Sequence, residues 1–216
     1  MKMTRSFFRK KVLKNILVFE YRKHEKMSRA LKRIMAFYDL TFGEGRGQRK
    51  ISHRDLDKAD FDFSCVDGLF MSGKALKRFP KQFKPTKLER EFLRELKKER
   101  GNFGVVVVSP DTGPATLKHE IAHALWDLNP RYRREVMRVL NSVNLKPIFK
   151  IFKKNEYAET EFFNEAQAYL MNNPYWLKDY GLKNLDYYAE VVLRLNCIFE
   201  KYTDPNYAAF KKVAWP

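Results

Sequence analysis

The five residues Gly104 to Val108, in the run "NFGVVVVSP", constrain this chain more than any other stretch of similar length. Consecutive β-branched side chains are stiff and fit a pleated strand better than a helix. No polar residue alternates with them, so both faces of the strand should be buried, and it should be central rather than at an edge. After the loop "SPDTG", Pro114 suits the first position of a helix that runs to about Leu128. A buried strand followed by a loop and a helix is a frequent setting for a functional helix.

Around this unit the chain reads as α+β, with a small sheet in the first half and helices in the second. "SRALKRIMAFYDLTFG" spaces Leu31, Ile34, Met35 and Tyr38 as an amphipathic helix, with Ser28 as cap and Gly43 as stop. "GEGRGQRK" reads as a loop, and "FDFSCVDGLFMS" as a hairpin turning at Asp67-Gly68. Helices are expected at about residues 85–100 (ended by Gly101), from Asn129-Pro130 through "PRYRREVMRVLNSV", at about 156–171, near "PYWLKDYG" and along "LDYYAEVVLRLNCIFEKY". One domain spanning 1–216 is expected: a basic extension or subdomain at 1–50, the sheet and following helix at 51–128, and a helical part at 129–216.

The apolar fraction is 44% and the net charge +17. Residues 1–50 hold fifteen Lys and Arg against four Asp and Glu, so the excess is concentrated there. Such a block can contact nucleic acid, although basic residues alone specify no groove and no base. Cys65 and Cys197 form no CxxC pair, which argues against a zinc ribbon or a disulfide scaffold, and Cys197 is expected to be a buried thiol. No run reaches the length of a membrane span. The start "MKMTRSFFRKKVLKNILVFEYR" is basic, with a short, broken apolar stretch and no small-residue cleavage site. A cytoplasmic location is expected, a transit peptide or membrane-surface helix being the alternative.

The helix after the central strand contains "HEIAH" at 119–123. Positions i and i+4 share one face, so His119 and His123 can aim both imidazoles at one point. Zinc accepts two such nitrogens with a third protein ligand and leaves one position open. Glu120 is rotated about 100° around the axis from His119, beside the metal and not on it, placed to accept a proton from attacking water. The competing account is two surface histidines flanking an ordinary glutamate. A random order of this composition would produce HExxH with a probability on the order of half a percent.

No histidine follows His123; the other two are His24 and His53. HExxHxxGxxH is excluded, because Trp126 and Asn129 stand at its glycine and third histidine. A downstream carboxylate must complete the site, with Glu135, Glu156, Glu159, Glu161 and Glu165 as candidates. Glu165 is favoured: in "FFNEAQAYL" it would face an apolar interior unless paired or bound to metal. Ala166 and Ala168 would let its helix approach the motif helix, where Ala122 is equally small.

HExxH followed by "NExxA" (Asn164, Glu165 and Ala168) resembles the gluzincin class of zinc metalloproteases. The resemblance covers the motif helix, the strand before it and the Glu165 helix. It implies a zincin-like fold, one Zn²⁺ per chain held by His119, His123 and Glu165, and Glu120 as general base of a peptidase, in preference an endopeptidase. In that family an acidic residue just after the ligand glutamate orients the first histidine. Here Tyr169 and Leu170 occupy that region, leaving Asp127 and Asp111 as candidate substitutes. The family's oxyanion-stabilising histidine is absent, and Tyr169 is the candidate replacement. A peptide substrate would lie extended along a sheet edge, sought in residues 61–71. The alternative function is a nucleic-acid-associated regulatory protein of the ImmA/IrrE type with a regulatory or vestigial site. It draws on the basic amino-terminal region and on Arg131, Arg133, Arg134 and Arg138.

Overall fold

Four strands form one sheet in the order β1-β2-β4-β3: β1 (Phe7–Leu13), β2 (Ile16–Tyr21), β3 (Gly68–Ser72) and β4 (Gly104–Val108). The computed structural model describes residues 7–13, 15–42, 51–58, 66–110, 112–172 and 174–203. Within it the chain divides into two compact units, residues 1–112 and 113–216. Among the described residues the first holds the sheet and four α-helices and the second six, and the whole is α+β and mostly helical.

β4 is buried at every residue, as its valine run requires, and lies between a parallel β2 and an antiparallel β3. Val18 and Val106, Leu17 and Val105 stand opposite one another in the β2–β4 ladder. A parallel pair needs a long crossover. Here the intervening chain supplies it, with α1 (His24–Phe42), α2 (His53–Lys58), α3 (Gly73–Gln82) and α4 (Lys87–Leu96). Leu17, Phe19 and Tyr21 of β2 join Val105 and Val107 of β4 in one core with Met27, Leu31, Phe37, Phe79 and Phe92 from the helices. Phe92 meets Phe19 edge-on, with ring centroids 5.0 Å apart. One buried charge is fully engaged there: Glu89 accepts from Arg33 at 3.1 and 3.3 Å and from the Thr86 backbone N–H at 2.6 Å. That carboxylate closes a capping box on α4 and ties it to α1.

Several expectations are revised. The basic start forms an antiparallel β1–β2 pair, not a transit or surface helix. The run "ILVFEY" is a buried strand whose partner is rich in Arg and Lys, so charge hid its pattern; an edge strand tolerates such residues. α1 begins at His24, four residues before Ser28, because Met27 extends the buried stripe of Leu31 and Ile34 backwards by one turn. α4 is shorter than residues 85–100, starting from the Thr86 cap and ending well before Gly101, whose φ is +73°. Of the expected hairpin, residues 61–65, with Cys65, lie outside the described residues, as does all of "GEGRGQRK" with Gly43; β3 remains as an edge strand paired to β4. No described helix is long and apolar enough to cross a membrane.

The second unit contains α5 (Pro114–Leu128), α6 (Pro130–Leu140), α7 (Lys146–Lys154), α8 (Phe162–Asn172), α9 (Pro174–Asp179) and α10 (Ala189–Tyr202). α5 has the limits read from sequence, and α6 starts at the expected Asn129 cap, whose side chain accepts from the N–H groups of Arg131 and Tyr132, but ends at Leu140, before the expected Asn141–Val143. The helix expected over residues 156–171 is broken. Glu156 adopts φ +60°, and the Tyr157 N–H returns to the Phe152 carbonyl at 3.0 Å, which ends α7 as a left-handed cap usually given to glycine. α8 packs against α5, α6, α7, α9 and α10 and is the central helix of this unit. Cys197 is exposed on α10 and not buried, since Leu195 and Phe199 hold the inward positions on either side.

Gly73 donates its N–H to the Phe103 carbonyl at 2.7 Å, and a Cβ there would stand 2.7 Å from that oxygen and from the Phe103 ring. Gly73→Ala is therefore expected to lower stability by about 2 kcal/mol or more, read as a fall in the denaturation midpoint. An unchanged midpoint would mean that α3 moves away freely.

Candidate metal centre

Ala122 and Ala124 of α5 and Ala166 and Ala168 of α8 are fully buried. The two helices pack against each other, and that contact carries polar residues of both to one place. His119, His123 and Glu165 converge there, with their ligand atoms all within 4.8 Å of one another. Nε2 of His119 lies 3.7 Å from one Glu165 oxygen and Nε2 of His123 lies 3.7 Å from the other. That is longer than a hydrogen bond. Two ligands on one tetrahedral zinc stand about 3.3 Å apart, so binding would draw the histidine–carboxylate pairs in by a few tenths of an ångström and the widest pair of the set by more. This group could hold a metal ion, and two imidazoles with one carboxylate is a donor set that suits zinc and leaves a fourth position free.

His123 is anchored from behind. Its Nδ1 is 2.9 Å from Asn164 Oδ1, and the neighbours of Asn164 decide who donates. Gln167 Nε2 also donates towards Asn164 Oδ1 (3.4 Å), while Asn164 Nδ2 donates to Glu161 at 3.0 Å. Gln167 in turn accepts from the buried Tyr132 hydroxyl at 2.7 Å. Every link agrees with an oxygen facing the imidazole. His123 therefore carries its proton on Nδ1 and turns a lone pair on Nε2 towards Glu165. His119 has no such hydrogen bond among the described residues; the Tyr169 ring meets it edge-on, with centroids 4.8 Å apart.

The electrostatics favour a cation. Burial, with His123 close by, holds His119 well below the usual imidazole range, so it stays a neutral donor. Burial also acts against charge on His123. Glu165, Glu120, the Asn164 bond and Glu161 outweigh it and raise the pKa. Burial raises the Glu165 carboxyl, with His123 opposing. Glu120 is buried, one residue round the helix from His119, and its charge is felt at His123, Tyr157 and Tyr169.

The other candidates lie elsewhere. Glu135 binds Lys201 and Tyr202, Glu159 is exposed beside Lys153, and exposed Glu156 occupies the cap of α7. Glu161 hydrogen-bonds Asn164 behind His123, and its charge acts on His123 and Glu165. Asp127 is exposed and hydrogen-bonds neither histidine, so it does not orient the first one as expected, while Asn164 orients the second, His123; Asp111 lies outside the described residues. Tyr169 does reach the centre, and its hydroxyl pairs with that of Tyr157 at 2.7 Å. Tyr157, Gln167 and Tyr132 carry no signal in the sequence, because only the packing of separate helices brings them together. Asn164 had one weak signal, its place beside Glu165.

Compared with protein-family models, curated proteins and solved structures, the chain matches none. Removal of the Asn164 amide is expected to weaken metal binding about 10–100-fold through His123 alone. Competition between Asn164→Ala protein and a chromophoric chelator reads this directly, and unchanged affinity would remove Asn164 from the site.

Proposed function

We propose that this chain is a zinc-dependent peptidase of the HExxH, gluzincin-like kind, acting as an endopeptidase. The observation that supports it most is the convergence of both histidine Nε2 atoms on the two oxygens of Glu165, with buried Glu120 beside them. A zinc ion in that set would lower the pKa of its water towards about 7 and polarise a substrate carbonyl.

The remaining chemistry belongs to the side chains. Glu120 accepts the proton of the attacking water as its oxygen bonds to the carbonyl carbon. It then passes that proton to the amine that leaves as the C–N bond breaks. Burial restricts bulk water as an alternative proton acceptor. The Tyr157–Tyr169 pair shares one hydrogen bond between two hydroxyls, so one phenolic proton remains to be donated. Burial raises the pKa of both phenols, which keeps them protonated donors at neutral pH. Such a donor aimed at a developing oxyanion is worth on the order of 100-fold or more in kcat. Tyr169, in ring contact with His119, is assigned that role, with Tyr157 orienting it.

A second reading, a nucleic-acid-associated regulator, draws on Arg131, Arg133, Arg134 and Arg138, all exposed on α6. Oligonucleotide binding with a steep salt dependence is its signature.

Purified wild-type protein is expected to contain one zinc per chain, and Glu165→Ala to lose it. Glu120→Gln should keep the metal and lose cleavage of a peptide library. Zinc-free wild type, or full activity in Glu120→Gln, would overturn the proposal. Tyr169→Phe should retain zinc and lower kcat by about 100-fold or more, with KM little changed. A wild-type kcat would exclude the hydroxyl.

A further inference from the structure

A ladder of rings leads away from His119. Tyr169 stacks on Trp176 with centroids 4.1 Å apart, and Trp176 stacks on Tyr180 at 4.2 Å. Tyr180 is also the wall of a separate groove of about 650 Å³, formed by the end of α9 and the segment after it against α7. Its floor includes buried Ile151, and Tyr180 and Tyr187 line it while remaining 48% and 52% exposed. Lys150, Lys154 and Lys183 complete the lining, and no carboxylate is among the lining residues. None of these three lysines has an ion-pair partner among the described residues. Among the described residues of this unit Lys153 pairs with Glu159, Lys201 with Glu135 and Arg194 with Glu190, whereas the lysines of the groove face no carboxylate in its lining.

We propose that this groove is a substrate subsite that receives an acidic, aromatic-containing segment of the polypeptide to be cleaved, a few residues from the scissile bond. The assignment rests on the peptidase reading. An extended chain advances roughly 3.4 Å per residue, so on the order of four residues cover the ring ladder between the metal centre and the groove. The exposed tyrosines offer flat apolar faces to a planar side chain, and the three unpaired ammonium groups select carboxylates around it. Continuity with the metal centre through Trp176 is what favours polypeptide over nucleic acid, whose bases could use the same faces.

Calorimetric titration of zinc-loaded, full-length Glu120→Gln protein tests this without turnover. The probes are a decapeptide of Glu, Asp and Tyr, the same peptide with Lys for each acid, and a single-stranded decanucleotide. The acidic peptide is expected to bind at least tenfold more tightly than the basic one. Lys150→Glu/Lys154→Glu/Lys183→Glu should abolish that preference while zinc content stays the same. The corresponding Lys→Gln triple variant serves if charge reversal impairs folding. In wild-type background the triple variant should cleave acidic peptides about tenfold more slowly and neutral ones at the wild-type rate. Equal binding of both peptides, a preference that survives the triple substitution, or lysine-dependent binding of the oligonucleotide alone would overturn the subsite. Selective binding without cleavage by wild type would keep the subsite as a peptide-binding groove and overturn the peptidase reading. Cleavage indifferent to the three lysines would do the reverse.

Discussion

The second unit is organised by the contact of α5 with α8. Both helices bury alanines, Ala122 and Ala124 on one and Ala166 and Ala168 on the other, while their polar residues His119, His123 and Glu165 meet at the centre. That contact sets the distance from Glu165 to both imidazoles, and everything chemical in the site inherits it. A larger side chain at any of these buried positions would have to displace its neighbours, because packed interiors accommodate extra volume poorly. If α5 and α8 moved apart, two histidines one turn apart would have no third donor.

Around this contact, polarity is handled in two ways. On the α8 side, the Tyr132–Gln167–Asn164–Glu161 chain gives buried groups their partners and fixes the His123 tautomer. Towards α7 and α9, His119 is bounded by aromatic faces: Tyr169, then Trp176 and Phe152. One histidine is held by hydrogen bonds and the other by ring packing. The asymmetry leaves the Tyr157–Tyr169 hydroxyl pair on the aromatic side, within the field of both Glu120 and Glu165. The left-handed residue Glu156 is part of the same arrangement, since ending α7 there turns the chain so that Tyr157 can reach back.

Much of the frame is legible in the residues. The valine run marks a central strand, because β-branched residues without polar alternation have no exposed face to offer. Pro114, Asn129 and Pro130 mark helix limits through backbone chemistry that acts locally. The amino-terminal strands escaped this reading, since an edge strand can carry charge at positions where a central one cannot. Cys197 escaped it as well: an apolar neighbourhood along a helix does not say which way one residue of that helix points.

HExxH by itself determines that two imidazoles share a face and that a glutamate stands beside them, because helix geometry fixes the relation of residues four apart. Elimination of later histidines narrows the third donor to a carboxylate, and the small residues around Glu165 select among five. Only the tertiary structure decides that Asn164 orients His123, that Tyr157 joins Tyr169, and that an unpaired lysine groove lies at the end of the ring ladder. Those relations connect helices far apart in sequence, and their distances depend on how closely the helices pack, which no local spacing encodes.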